Sequence, residues 1–288
     1  MSDTISASPT AFIGRRLSRR FAGNGTLTLG VILAIIILLS AFVAPFVYPP
    51  LPYEMHMSHL LQAPGGSFPL GTDQLGHNAL AELFIGGYST MIVALPSALI
   101  TFVVGIAYGC LSGLAPSWLD KLLMRVLDVV LALPSLVVML FVASLVALTN
   151  VNLILLLGFI AWPGLARLVR NEILAQRGRD FVLAAQQSGA SQLYVARRHL
   201  LRVIAPMLVV NGTFLVADSI LGVSSLSFLG MGVQPPQQTW GSLLQNGLSL
   251  MQLDPWWLIL PPALLIFGSL LSASLIGEGL LRLWGINK

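Results

Sequence analysis

Two carboxylates lie inside long apolar runs, Asp128 and Asp218. An ionised group at that depth is costly, so such residues mark an ion pair, a wet pathway or a subunit contact. Asp218 sits midway along its run, amid Asn211, Thr213, Ser219, Ser224 and Ser225. That polar stripe suits a pathway or a partner subunit, and its carboxylate would take a cationic group on a solute. Asp128 lies about one turn into its run and near Arg125, which reads as a salt bridge or a helix-dipole partner, with a pathway role as the alternative. Met55-His-Met-Ser-His59 gathers soft and imidazole ligands of the kind that hold transition metals. A solvated or partner-contacting outer loop is the better account of it, so no metal is assigned. His77 and His199 stand alone, and the single cysteine, Cys110, lies in an apolar run as a packing residue. No nucleophile, base and orienting group occur together, and no phosphate-binding Gly-x-x-x-x-Gly-Lys-Ser/Thr is present. Neither enzymatic activity nor a cofactor is expected of this chain.

A second stretch offers docking instead of chemistry. Asp180 to Arg202, DFVLAAQQSGASQLYVARRHLLR, is the one long polar segment between strongly apolar runs. Asp180 can cap a helix of two turns over Phe181–Ser188, Gly189 supplies the break, and after Ala190 the hydroxyl of Ser191 can cap a second helix. Ala184, Ala185 and Gly189 leave one side without bulk, so a partner's surface could approach the backbone.

The elements that must position these residues are membrane helices. The 288 residues are 56% hydrophobic and 9% charged, with a mean hydropathy of +0.86, far from the balance of a soluble domain. Six apolar runs can cross about 30 Å of hydrocarbon: Thr26–Tyr48, Tyr88–Leu114, Met124–Leu148, Val151–Leu168, Pro206–Leu229 and Trp256–Leu280. At that depth each must be a helix, and Pro96, Pro134 and Pro163 should kink or interrupt three of them. The division is then an N-terminal segment over 1–25, a first span over 26–48, an outer loop over 49–87, core helices over 88–280 with a coupling loop at 171–205, and a tail over 281–288.

With the N-terminus inside, all fifteen Lys and Arg residues fall on the inner side: four before the first span, Lys121 and Arg125, seven from Arg167 to Arg202, then Arg282 and Lys288. The outer loops carry Glu54, Asp73, Glu82 and Asp254. This asymmetry accounts for the net charge of +4 without nucleic acid, and it puts both termini and the Asp180–Arg202 segment in the cytoplasm. A cleaved signal is disfavoured, because the first apolar run is too long and further spans follow.

The spacing of Ala184-Ala185, Gly189 and His199 resembles the EAA loop of membrane subunits of bacterial ABC importers, although Leu183 stands where Glu is usual and Arg202 where Pro is usual. Four further stretches narrow the resemblance to the dipeptide/oligopeptide/nickel permease family: Leu70-Gly-Thr-Asp-Gln-Leu-Gly76, with His77-Asn78 in place of Arg-Asp; Asp128 to Ser135; Trp162 to Arg170; and Leu226 to Gly241. The similarity runs from Val31 to Leu280 in order. It implies an all-α integral membrane protein with the type I importer permease fold, in the bacterial cell membrane. It also implies one half of an ATP-driven, binding-protein-dependent peptide importer, with nickel or a metal chelate as the alternative cargo and an ATP-independent channel or secondary transporter as a more distant one. The implied partners are a second, non-identical permease subunit, two ATP-binding subunits that hold ATP and Mg, an extracytoplasmic substrate-binding protein, and lipid. On this reading Asp180, Ala184, Ala185, Gly189, Ala190, Ser191 and His199 couple to the ATPase. Asp218, Asn211, Ser224 and Asp128 line the pathway. Gly71, Thr72, Asp73, Gly76, Gly230, Pro235, Pro236 and Trp240 shape or contact the outer side, where Trp240, Trp256 and Trp257 would form an interface belt.

Overall fold

A computed structural model describes residues 24–48 and 58–284. Among them lie twelve α-helices, labelled in chain order. These are α1 Gly25–Phe42, α2 Ala44–Val47, α3 Ala79–Leu114, α4 Ser117–Ala132, α5 Ser135–Leu145 and α6 Asn150–Ile160, followed by α7 Trp162–Arg177, α8 Asp180–Gln187, α9 Gln192–Val195, α10 Leu201–Phe228, α11 Trp240–Ser249 and α12 Trp256–Leu283. Five continuous spans are long and apolar enough to cross a membrane: α1, α3, α6 with α7, α10 and α12. Helices α4 and α5 make a sixth only as a pair bent by 82°.

The bend falls at Pro134, one of the three prolines expected to kink or interrupt a span. Pro134 has no amide proton to donate, and its ring forces Leu133 out of helical geometry, to φ −89°, ψ 133°. Pro96, by contrast, leaves α3 unbroken, and Pro163 falls in the first turn of α7, where no amide donor is needed.

Helix α1 runs antiparallel to α12. Asn24 Nδ2 donates to Gly279 O at 2.7 Å, and Ser272 Oγ donates to Gly30 O at 2.9 Å. The small residues allow this approach: a methyl group at Gly279 would meet Leu27 Cβ at 2.5 Å. A second small stripe joins α3 to α7. Gly105, Gly109 and Gly113 recur every fourth residue on one face of α3, and there Leu165, Ala166, Val169 and Ile173 of α7 come to rest.

The buried apolar residues form two clusters. One gathers Met91, Val93, Leu153, Leu157, Ile220, Leu226 and Trp240. The other gathers Leu165, Val169, Ile173, Val182, Val195, Leu200, Ile204 and Leu208. The second lies at the end of the bundle that carries α8 and α9, called the basic end below; the opposite, distal end carries residues 58–78 and 229–255.

Candidate functional site

At the basic end, α7 delivers the chain into a short hairpin. Helix α8 begins at Asp180, with Val182 N bonded to Arg179 O at 2.9 Å. Asp180 is therefore in the first helical turn, where its charge suits the helix dipole, and not the cap expected from the sequence. The helix closes through Ser188 N to Ala184 O and Ala190 N to Ala185 O, each 3.0 Å. Gly189 then turns the chain at φ +83°, a conformation that side chains with a Cβ resist. Ser191 Oγ accepts from Tyr194 N at 3.3 Å and starts α9, which runs into a π-helical turn over Ala196–Leu200 that contains His199.

Val182 and Val195 are buried in the cluster with α7 and α10, so the hairpin is seated on the bundle by one residue of each helix. Ala184, Ser188, Gly189 and Ser191 face outward. Ala185 and Ala190 pack inward against the same cluster, so Ala184 and Ala185 divide between the faces of α8 and do not form a single docking patch. The outward surface is low in the middle, around Ala184 and Gly189, and flanked by partly exposed Phe181 and Tyr194.

Two ion pairs fasten α4 to α7 directly above this hairpin. Arg170 holds Asp120 through Nε at 2.9 Å and Nη2 at 2.5 Å, and Ser112 Oγ donates to the same carboxylate at 2.6 Å. Asp128 pairs with Arg167. The sequence pointed to Arg125 as its neighbour, but a residue three positions earlier on α4 competes with one that α7 presents from the facing helix. Asp128 is thereby a mostly exposed interhelix contact, in line with the salt-bridge reading of the sequence. Asp120 and Arg170 were missed because the 49 residues between them leave no local signal.

Along α10 the polar stripe separates into two faces. Asp218 is exposed beside Phe214 and Leu221, which are 38% and 45% exposed. Asn211 is half-buried and returns its Nδ2 to Met207 O at 2.8 Å. Ser224 is buried, and a methyl group on Gly241 would meet its backbone carbonyl at 2.1 Å. Ser224 thus seats α11 on α10 and lies away from the face that carries Asp218.

The distal end is a built structure. Thr72 is fully buried; its Oγ1 bonds His59 O and accepts from Gln62 N at 2.8 Å, and its carbonyl accepts Trp257 Nε1 at 3.2 Å. Gly71 and Gly76 turn the chain at φ +67° and +81°, and Asn78 caps α3 through Leu80 N and Ala81 N. Asp73 Oδ1 accepts from Leu75 N and His77 N. Gly230 opens the second loop at φ +79°, and Pro235 and Pro236 are exposed. Trp240 is fully buried, its Nε1 donating to Leu83 O at 3.0 Å and its ring lying over Gly87. The expected belt of three tryptophans is thus reduced to Trp256, because Trp240 and Trp257 find bonding partners for their indole nitrogens inside the protein. Met55, His56 and Met57 lie outside the described residues.

Comparison with known proteins fits this geometry. The family described as binding-protein-dependent transport system inner membrane component matches residues 105–283, from the last third of α3 to the end of α12. The di/tripeptide transport system permease protein DppC of Pseudomonas aeruginosa (strain UCBPP-PA14) is 33% identical over 266 residues, covering 90% of this chain and 88% of that protein. A Brucella suis biovar 1 protein whose name provisionally marks it as a peptide transport system permease is 33% identical over 280 residues, covering 96% of this chain and 91% of its own.

Proposed function

This chain belongs to the family of binding-protein-dependent transport system inner membrane components, and from that premise we propose that it is one of two permease subunits in an ATP-driven importer of short peptides. The observation that carries the proposal is the α8–α9 hairpin: a low outward surface at Ala184 and Gly189, seated on the bundle by Val182 and Val195. Such a surface receives the wall of another protein's cleft and transmits its movement. In this reading the hairpin faces the cytoplasm, where the basic residues of α7 to α10 belong, and the distal loops face the substrate-binding protein outside. The other pore half is a second, non-identical permease subunit.

The work of ATP is done on two separate subunits that bind ATP and Mg. When they close, the hairpin is displaced. Its apolar seat carries the displacement into α7, and the ion pairs Arg170–Asp120 and Arg167–Asp128 carry it into α4. Helix α3 follows through its glycine stripe. The outcome is a change of access from one face of the membrane to the other by rocking of packed helices. Asp218, on the exposed stripe of α10, faces the space between this chain and its partner and receives the amino terminus of a passing peptide.

The test is uptake of labelled di- and oligopeptides by cells with and without this chain, complemented by the wild-type gene. Loss of peptide uptake that is restored by complementation supports the reading. Unchanged uptake of every peptide length overturns it.

A further inference from the structure

At the distal end, His77 lies between two carboxylates. Its Nδ1 is 3.0 Å from Asp73 Oδ2 and 3.5 Å from Glu82 Oε1, and one donor atom from each of the three residues lies within 4.8 Å of the others. The group is enclosed: His77 and Glu82 are each 6% exposed. Their partners are few. Asp73 Oδ1 accepts the backbone amides of Leu75 and His77, and Glu82 Oε1 accepts Gln238 Nε2 at 2.8 Å.

Apart from His77 itself, no basic side chain near it in the sequence balances the charges. The sequence holds no Lys or Arg between Arg20 and Lys121, nor between Arg202 and Arg282. Two carboxylates enclosed so close together are relieved either by a proton or by a cation held between them. The network is also not closed by the chain's own groups, for His77 Nε2 and Gln238 Oε1 are buried without a hydrogen-bond partner. Asp73 and Glu82 border a small cavity that also touches Asn246, Leu250 and Trp257.

We propose that Asp73, His77 and Glu82 bind a divalent transition-metal ion of the zinc type, through two carboxylate oxygens and one imidazole nitrogen. The donor set is that of borderline cations. Bonds of about 2.1 Å in tetrahedral geometry put donor atoms roughly 3.4 Å apart, and the two separations around His77 Nδ1 bracket that value. Asp73 and Glu82 both border the cavity, so a water there can complete the shell. Gln238 acts on the metal through Glu82, whose carboxylate it orients. Because Asp73 and His77 precede α3, Glu82 lies in its first turn and Gln238 belongs to the loop before α11, the ion joins both distal segments at one point. It is a resident ion and not cargo, so the inference stands apart from the identity of the transported solute.

The test uses the full chain co-purified with its partner subunits, stripped with a chelator and titrated with Co2+, whose visible absorption reports a low-coordinate nitrogen and oxygen shell. One Co2+ per chain is expected, displaced by Zn2+, and the thermal stability of the complex should fall on chelation and recover on refilling. His77→Gln should abolish that absorption, and Gln238→Ala should weaken binding about 10- to 100-fold. His77→Arg places a fixed cation between the carboxylates and should make stability insensitive to the chelator. Failure of the wild-type complex to take up Co2+ stoichiometrically overturns the proposal, as does a His77→Gln protein that binds Co2+ as tightly as wild type.

Discussion

Arg170 on α7 grips Asp120 at the start of α4 with two nitrogens, at 2.9 and 2.5 Å, while Ser112 at the end of α3 donates to the same carboxylate. Three helices thus meet at one acidic side chain, which is only 14% exposed. Asp120→Asn keeps the shape and removes the charge, and should cost about 1–3 kcal/mol, read as a lower unfolding temperature in detergent. Ser112→Ala, which leaves the ion pair intact, should cost only about 1 kcal/mol. ATPase activity that still responds to substrate in Asp120→Asn would mean that α4 takes no part in transmission.

Gly189 presents a different kind of dependence. A side chain there would meet nothing within 4 Å, yet φ of +83° carries a penalty of about 1–2 kcal/mol for a residue with a Cβ. Gly189→Val should therefore reduce the recovery of co-purified ATPase by about 5- to 30-fold, with little loss of the permease itself. Undiminished co-purification would remove the hairpin from the coupling role.

Asp218 and Ser224 belong to one helix but to different faces, one exposed and one buried, and their substitutions should diverge. Asp218→Asn should lower peptide uptake while the complex still assembles, because in the proposed role its exposed carboxylate receives the passing peptide. Ser224→Ala should leave transport and stability within about 0.5 kcal/mol of wild type, since its buried hydroxyl has no partner to lose. Uptake and chromatography on both variants decide the matter, and equal behaviour of the two would defeat the assignment.

Trp240 holds the distal loop into the bundle. Trp240→Ala should destabilise the protein by about 3–5 kcal/mol, and Trp240→Phe, which loses the bond to Leu83 O, by about 1–2 kcal/mol. A small effect of Trp240→Ala on thermal unfolding would show that the loop is held elsewhere.

The spans, and the membrane they imply, were legible because a window of hydropathy needs no knowledge of neighbours. The hairpin turn at Gly189 was legible for a similar reason, since a break between two helical patterns is local. Side-chain direction was not. Ala184 and Ala185 are adjacent in the chain and share a size, so only the packing of Val182 on α7 reveals which of them faces out. Asp218 and Ser224 read as one stripe because both are polar in one apolar run, but six residues along a helix leave them about 120° apart, and the seating of Gly241 on Ser224 decides the face. The indole partners of Trp240 and Trp257 are 157 and 185 residues away, beyond any pattern in the sequence.

The right-angled elbow at Pro134 makes the third span a lever with two arms. Eleven residues of α5 measure about 16 Å, so a rotation of roughly 10° about the elbow carries its tip some 3 Å sideways. A straight rod gripped at the same place by Arg170 and Arg167 would pass on only the tilt it received. The bent one would turn a small twist of α4 into a sideways movement of α5, with its fulcrum at the peptide unit that Pro134 keeps out of helical geometry.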